Sequence, residues 1–230
     1  PVIDVPERAR ASRGKSVYSL IEGADRKDRI VSMIPLDHLD VEDRYLVFLS
    51  RLGVVKRTAV SEFASTRAGG VKAAGVKDGD VILDVALSDA TAEVMLLSRS
   101  GRAIRFPEDE ITVVGRTAQG VKGMTLKDDE VVGMLMIRRD STVLTVSEDG
   151  SGKRTPVSDF PLQKRGGLGT LAVAAGADVS PVVCALEVLE ADEVMIVTAG
   201  GQVTRVAADS VPLQGRRTQG RIIVRLEAGD

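Results

Sequence analysis

The chain repeats itself about every fifty residues. One marker is a turn glycine followed four residues later by an arginine, which recurs at Gly53 and Arg57, Gly101 and Arg105, Gly150 and Arg154, and Gly201 and Arg205. A second marker is the glycine that ends a basic loop: Gly14, Gly70, Gly120, Gly169 and Gly220, at spacings of 56, 50, 49 and 51. A fixed period of this size indicates a radial or solenoid array, in which neighbouring units bury each other's apolar faces.

Each full repeat contains four short segments that predict strands. An apolar run such as YLVFLS is followed by a glycine turn and a short basic strand, then by a basic loop with a third strand, and then by an acidic turn with a fourth. The expected third strands are VYSL, VKAAGV, VKGMTL, TLAVA and RIIVRL. These runs are rich in Val and Ile and bounded by Gly, Asp and Ser, as strands are. Since no 3.6-residue apolar period is sustained, we expect an all-β fold with almost no helix, and four strands per unit predict propeller blades.

The repeats predict a single domain over residues 1–230. They run roughly over 1–40 (partial), 41–89, 90–139, 140–190 and 191–230 (partial). The first lacks its opening strands and the last its closing strand, which gives about five four-stranded blades. Because Pro1 opens the chain in mid-repeat, we expect it to be a piece of a longer polypeptide.

Composition excludes several classes of function. One histidine, His38, and one cysteine, Cys184, leave no Cys/His cluster for zinc and no basis for histidine catalysis, so we expect no metal and no cofactor. A single cysteine cannot form an intrachain disulfide, which suits a reducing cytosol. No apolar stretch approaches the ~20 residues that span a bilayer, so we expect no membrane partner.

The net charge of −2, from 31 basic and 33 acidic side chains, is unusual for a nucleic-acid binder. Local placement matters more, because charges are screened beyond about 8 Å at physiological salt. The cations cluster in five loops: RARASRGK (8–15), STRAGGVK (65–72), GRTAQGVK (115–122), QKRGGLGT (163–170) and QGRRTQGR (214–221). Set at one point in each blade, these loops would form a curved basic rim that holds bent duplex DNA by its phosphates without reading bases.

We therefore predict double-stranded DNA as the partner, with contacts from the loops and from the basic strands beside them. The predicted DNA-binding residues are Arg10, Arg13, Lys15, Lys56, Arg57, Arg67, Lys72, Arg102, Arg105, Arg116, Lys122, Lys153, Arg154, Gln163, Lys164, Arg165, Gly166, Gly167, Gly169, Arg205, Arg216, Arg217 and Arg221.

The loop at 163–169 carries a family resemblance. A known family carries a seven-residue basic motif, Q-R-R-G-G-K-G, which we call the box. Six of its seven positions are matched, counting Lys for Arg, by Gln163-Lys164-Arg165-Gly166-Gly167-Leu168-Gly169, in which Leu168 replaces the lysine of the box. Together with VPERARASRGKSVYSL and GRTAQGVKGMTLKDDEVVGM, it resembles the C-terminal domain of bacterial DNA gyrase A, or its paralogue in topoisomerase IV. The resemblance implies a β-pinwheel, a propeller-like ring whose blades exchange strands.

The resemblance also implies a function. Such a domain is a non-catalytic part of an ATP-dependent type IIA topoisomerase that wraps DNA and presents it to the cleavage core, giving negative supercoiling. Its partners would be DNA, the rest of the gyrase A protein and the gyrase B protein, in the cytoplasm at the nucleoid. The cleavage tyrosine belongs to the N-terminal core, so Tyr18 and Tyr45 receive no catalytic role.

Two alternatives stay open. The equivalent topoisomerase IV domain selects DNA geometry more than it wraps, and Leu168 points slightly that way. A propeller for protein–protein interaction would normally show regular aromatic signatures, and a chain with no Trp and four Phe offers little support for it.

Overall fold

The computed structural model of the chain describes residues 5–9, 12, 15–25, 27–65, 69–176 and 179–226. Within these residues the regular structure is β-strand and short 3-10 turn. The strands are β1 (Tyr45–Ser50), β2 (Val54–Ala59), β3 (Ile82–Ser88), β4 (Glu93–Ser98), β5 (Arg102–Pro107), β6 (Val121–Lys122), β7 (Val131–Ile137), β8 (Thr142–Ser147), β9 (Ser151–Pro156), β10 (Thr170–Leu171), β11 (Val182–Val188), β12 (Glu193–Val197), β13 (Val203–Ala207) and β14 (Arg221–Ile222). The 3-10 turns are Val17–Ser19, Val60–Phe63, Glu108–Glu110, Val157–Asp159 and Ala208–Ser210.

Every sheet is built on a hairpin, and those of the three four-stranded sheets are closed by turn glycines. Gly53, Gly101 and Gly150 have φ of 78° to 80°, a conformation that costs glycine little and other residues more. Their N–H groups donate to the residues three positions earlier, as Gly53 does to the carbonyl of Ser50 at 3.0 Å. The turns join β1 to β2, β4 to β5 and β8 to β9, and the seven-residue strands β3, β7 and β11 pair with β1, β4 and β8.

The fourth strand of each complete sheet comes from the following repeat. β6 pairs with β2, β10 with β5 and β14 with β9, so the sheet orders are β3-β1-β2-β6, β10-β5-β4-β7 and β11-β8-β9-β14. A two-stranded sheet of β12 and β13 follows. This exchange of strands confirms the all-β, propeller-like pinwheel that was expected.

Residues 5–40 differ from the prediction in detail. The described part of this segment contains no strand, and VYSL, expected as a strand, forms the 3-10 turn Val17–Ser19. VKAAGV (71–76) is also without strand structure. Because each third strand pairs with the hairpin of the preceding repeat, these two segments have no hairpin among the described residues to pair with. The described residues therefore form four sheets, against the five blades expected.

The core lies between neighbouring sheets. Val47 and Leu49 of the first sheet pack with Val94, Leu96 and Phe106 of the second, all fully buried. Met95 and Leu97, on the opposite face of the second sheet, pack with Val143 of the third. Each such side chain contributes roughly 1.5–3 kcal/mol on burial.

Each four-stranded sheet has an inner and an outer edge. β7 contacts both β3 and β11, so these three strands lie side by side at the inner edge of their sheets. β6, β10 and β14 occupy the opposite, outer edge. The basic loops that lead into these short strands are thereby placed at the outside of the array. Among the described residues, no helix is long and apolar enough to cross a membrane.

Candidate functional site

Each basic loop is fixed to the preceding repeat at the same point. The N–H groups of Val114, Gln163 and Gln214 donate to the carbonyls of Arg57, Arg105 and Arg154 at 2.8 to 2.9 Å. Immediately before them, Val113, Leu162 and Leu213 form parallel bridges with the same three arginines. The loops 115–122, 163–170 and 214–221 therefore start in register and end in β6, β10 and β14.

The segment that follows each loop also contacts the next loop. The N–H of Gly75 donates to the carbonyl of Ala118 at 3.0 Å, that of Thr125 to Gly167 at 2.8 Å and that of Ala174 to Thr218 at 3.2 Å. These three bonds are equivalent, because each donor lies five residues after a loop glycine and each acceptor two residues before the next one. We call segments 69–72, 115–122, 163–170 and 214–221 the basic stripe.

Loop arginines reinforce this succession. Arg165 donates through Nη1 to the carbonyl of Lys122 at 3.0 Å, and Arg216 donates through Nη1 to the carbonyl of Leu171 at 3.2 Å. Each guanidinium thus reaches the end of the preceding loop. Arg102 donates to the carbonyl of Gly169 at 3.0 Å. It thereby supports the loop 163–170, which we call the middle loop, from the sheet that contains both β5 and β10.

The basic stripe combines exposed cations with a sequence free of carboxylates. Its four segments contain no Asp or Glu. Arg116, Arg165 and Arg216 are half-buried. Its exposed cations are Lys72, Lys122, Lys164, Arg217 and Arg221. A row of charges that lack acidic neighbours in their own loops can attract phosphates.

Glycines shape the middle loop, which carries the box sequence. Gly166 and Gly169 have φ of 81° and 67°, and a Cβ at Gly169 would overlap the carbonyl oxygen of Ala103. Gly167 lies against the side chain of Ile104. Leu168 is 40% exposed, in the position of the lysine of the box.

Carboxylates precede the loops of the stripe in the chain. The 3-10 turns before the three loops carry the exposed Asp109, Asp159 and Asp209. Glu110 accepts the N–H of Arg165 at 2.9 Å. Their negative charges would oppose the approach of phosphates to the loops that follow them.

Other carboxylates are engaged between sheets. Glu130 pairs with Arg51 at 3.8 Å and Glu148 with Arg99 at 2.8 Å, both next to the hairpin turns. Part of the acidic excess of the chain is therefore used in contacts outside the loops.

The basic strands do not lie on the rim as predicted. Lys56, Arg57, Lys153 and Arg154 are each less than 10% exposed. Lys153 donates from Nζ to the carbonyls of Gly215 and Arg216 at 2.8 and 2.7 Å and to Thr218 Oγ1 at 3.3 Å. A buried ammonium needs hydrogen-bond acceptors, and the loop of the next repeat supplies them. These strands are therefore covered by that loop and not by solvent.

The phase-marking arginines join repeats instead of facing solvent. Arg105 contacts Glu93 at 2.5 Å and donates to the carbonyls of Val157 and Phe160 at 2.9 and 3.0 Å. Two further members, Arg57 and Arg154, are buried and bind the following repeat similarly, Arg57 through Glu108 and Arg154 through the carbonyls of Asp209 and Val211. Arg205 is the exception, because its side chain is 70% exposed and pairs with Glu193 at 3.3 Å.

Several predicted residues need separate mention. Arg10, Arg13 and Arg67 lie outside the described residues, whereas Lys15 is exposed. The Tyr18 hydroxyl donates to the carbonyl of Asp28 at 2.6 Å, and the Tyr45 ring lies 5.0 Å from the Arg57 guanidinium.

Groups that could carry other chemistry are few. Burial raises the pKa of the Cys184 thiol, which keeps it protonated. No group of three or more His, Cys, Asp or Glu side chains among the described residues could hold a metal ion.

Sequence reasoning missed the backbone bonds between loops and the role of the strand cations. The bonds leave no side-chain signal. For the strand cations a signal existed, because Lys56 and Lys153 each stand three residues after a turn glycine, and the repeat at 90–139 has Ile104 at the same position. An interchange of Lys with Ile is typical of an interior site.

Comparisons with known proteins show the family of the chain. The family described as "DNA gyrase C-terminal domain, beta-propeller" matches residues 2–37, 44–89, 92–138, 141–178 and 192–230. The chain is 38% identical to the DNA gyrase A protein of Staphylococcus aureus and 34% identical to that of Salmonella typhimurium, each over 226 residues or 97% of the chain. The chain spans about a quarter of the length of these relatives.

Solved structures show the same fold. A structure of a DNA gyrase A C-terminal domain superposes with a TM-score of 0.83 at 27% identity, covering 93% of this chain and 71% of that one. A topoisomerase IV C-terminal domain superposes with a TM-score of 0.90 at 24% identity, covering 98% and 70%.

Proposed function

The chain belongs to the DNA gyrase C-terminal domain family, and on that premise we propose that it binds and bends duplex DNA along the basic stripe. The observation that carries the proposal is the set of hydrogen bonds that align successive loops, from Gly75 to Ala118, Thr125 to Gly167 and Ala174 to Thr218. They support one outer path on which each successive loop carries at least one exposed cation. Duplex DNA offers a matching row of phosphates, one charge per ≈1.7 Å of helix axis.

Recognition along this path would depend on DNA shape. Lysine and arginine side chains on short glycine-containing loops reach phosphates but present no helix or ribbon to a groove. Bending 20–30 bp by 40–90° costs on the order of 1–6 kcal/mol, so several loops must act together. The five exposed cations of the stripe are distributed over four loops, as such a task requires.

Within a gyrase-type enzyme, this domain would be an accessory module. It would hold a DNA segment and present it to the cleavage core formed by the rest of the gyrase A protein with the gyrase B protein, in support of negative supercoiling in the cytoplasm at the nucleoid. Tyr18 and Tyr45 are both engaged in internal contacts, which supports assigning strand cleavage elsewhere.

A topology assay tests the proposal. The chain is bound to nicked circular DNA, the nick is ligated, and the protein is removed. Wrapping leaves topoisomers with writhe in proportion to bound protein, and a double variant with Lys164→Ala and Arg217→Ala should leave much less. Relaxed products at saturating protein would contradict wrapping. An absence of any binding would favour a propeller for protein–protein interaction.

One observation favours the topoisomerase IV type of function as a second candidate. Leu168 occupies the exposed box position where the family has lysine, so the middle loop presents one cation fewer. If wrapping is limited by this residue, Leu168→Lys should increase the retained writhe in the ligation assay. Equal writhe from both proteins would remove the argument for the paralogue.

A further inference from the structure

Lys56 and Lys153 are buried cations that lie beneath the loops of the stripe. Lys153 is fully buried and Lys56 is 2% exposed. Each lies in a basic strand, β2 or β9, and reaches into the loop of the following repeat. Neither appears in an ion pair among the contacts of the described residues, so both charges stand without a carboxylate partner in direct contact.

Their contacts are with loop backbone. Lys56 Nζ donates to the carbonyl of Ala73 at 2.6 Å and to the carbonyl of Arg116, and it lies 5.1 Å from the Phe48 ring. Lys153 Nζ donates to two loop carbonyls and to the hydroxyl of Thr218. Lys56 thus ties two successive loops together, and Lys153 uses all three hydrogens of an ammonium group inside one loop.

From these contacts we propose that Lys56 and Lys153 are positioning residues for DNA binding, and that DNA on the stripe favours their ammonium form. The inference rests on the proposed function. Both amines bond to the carbonyls of Arg116 or Arg216, whose side chains lie in the stripe. A phosphate attracted to these arginines would add negative charge near each buried ammonium, which has no carboxylate in direct contact.

The charged surroundings of each lysine favour this coupling. Burial, and next the positive charge of Arg116, lower the pKa of Lys56 to about 8. The cavity of about 310 Å³ beside Lys56 is lined also by Lys77, Lys122 and Asp80. Burial and Arg216 likewise lower the pKa of Lys153 to about 8, with Asp159 opposing them. Phosphates would offset both the repulsion from arginine and part of the desolvation, and would raise both pKa values.

The sign of the pH dependence follows. Well below pH 8 both lysines are charged in the free and the bound protein, and affinity is highest. Above pH 8 the free protein loses protons that the complex retains, so binding takes up protons and affinity falls as pH rises. If DNA raises each pKa by about one unit, affinity falls by roughly tenfold per lysine.

Measurement of DNA affinity between pH 7 and 9.5 at fixed salt, with Lys56→Met and Lys153→Met, tests the proposal. Each variant should bind several-fold more weakly than wild type at pH 7, with a shallower pH profile, and the curves should converge at high pH. Lys127→Met, which removes an exposed charge outside the stripe, should keep the wild-type affinity and slope. Variants with the full wild-type slope would overturn the proposal.

A second measurement needs no variant. Carbon-13 NMR at the lysine Cε positions should show two lysines of the free protein titrating near pH 8, and both midpoints should move upward with bound duplex. If DNA binds and the midpoints stay in place, the coupling is wrong while the proposed function stands. If the duplex does not bind at all, the proposed function itself fails.

Discussion

At the residue scale, lysines and arginines of this chain have two uses that are set by their position in the repeat. Lys164 and Arg217 stand in glycine-containing loops and are exposed, as the sequence indicated. Lys153 and Arg154 stand one segment earlier and are buried, which the sequence did not indicate, because a short basic strand beside a turn is typical of a surface hairpin. The strand is covered on both sides only after the following loop has folded over it, and that contact is non-local.

Gly169 gives a test of how closely the middle loop approaches its support. Alanine there requires φ near 67°, which costs an L-residue roughly 1–2 kcal/mol, and its Cβ would meet the carbonyl of Ala103. We expect Gly169→Ala to lower the free energy of unfolding by about 2 kcal/mol or more in urea denaturation. Gly115→Ala is the matched control, because a Cβ at Gly115 meets open space. Equal stability of the two variants would contradict the close approach.

At the scale of elements, the hairpins were predictable and the exchange of third strands was not visible in the repeats themselves. The turn glycines and the Val-rich runs specify β1–β2, β4–β5 and β8–β9 by local pairing alone. β6, β10 and β14 are only two residues long, and their partners lie in the preceding repeat. Nothing in two residues of sequence selects a partner a whole repeat away, so the exchange was expected only from the family resemblance.

The arginines that join repeats provide the test at this scale. Arg105→Ala would remove one of the two donors to the Val157 carbonyl, the donor to the Phe160 carbonyl and the pair with Glu93, so we expect a loss of about 2 kcal/mol in the free energy of unfolding. Arg205 occupies the equivalent position but is largely exposed, and Arg205→Ala should cost less than about 1 kcal/mol. Urea denaturation of both variants measures the difference. A loss at Arg205 as large as that at Arg105 would mean that the junction is not the cause.

At the scale of the whole molecule, the net charge of −2 conceals a segregation of charge. The five-loop periodicity predicts a common basic path. In the structure, the residues that follow loops 69–72, 115–122 and 163–170 donate hydrogen bonds to the next loop, and a shared DNA path along these loops stays a proposal. The sequence could not show where the carboxylates fall relative to that path. Asp159 and Asp209 lie shortly before two of its loops in the chain, and their negative charges would weaken the attraction between the stripe and phosphates.

Salt dependence follows from this arrangement as a property of the assembled stripe. If the five exposed cations of the stripe each neutralise one phosphate, the logarithm of the binding constant should fall with the logarithm of salt concentration with a slope of about −4.5, at about −0.9 per contact. Lys164→Ala should make the slope shallower by about 0.9 and should weaken binding equally on duplexes of unrelated sequence, because the contact is to the DNA backbone.

Lys127→Ala serves as the control outside the stripe, and Asp159→Asn should strengthen binding by removing a carboxylate that precedes the loop 163–170. Fluorescence anisotropy titrations of labelled duplexes at a series of salt concentrations would measure all three variants. Affinity that ignores salt, or a loss at Lys164 confined to some sequences, would exclude phosphate contacts as the basis of binding.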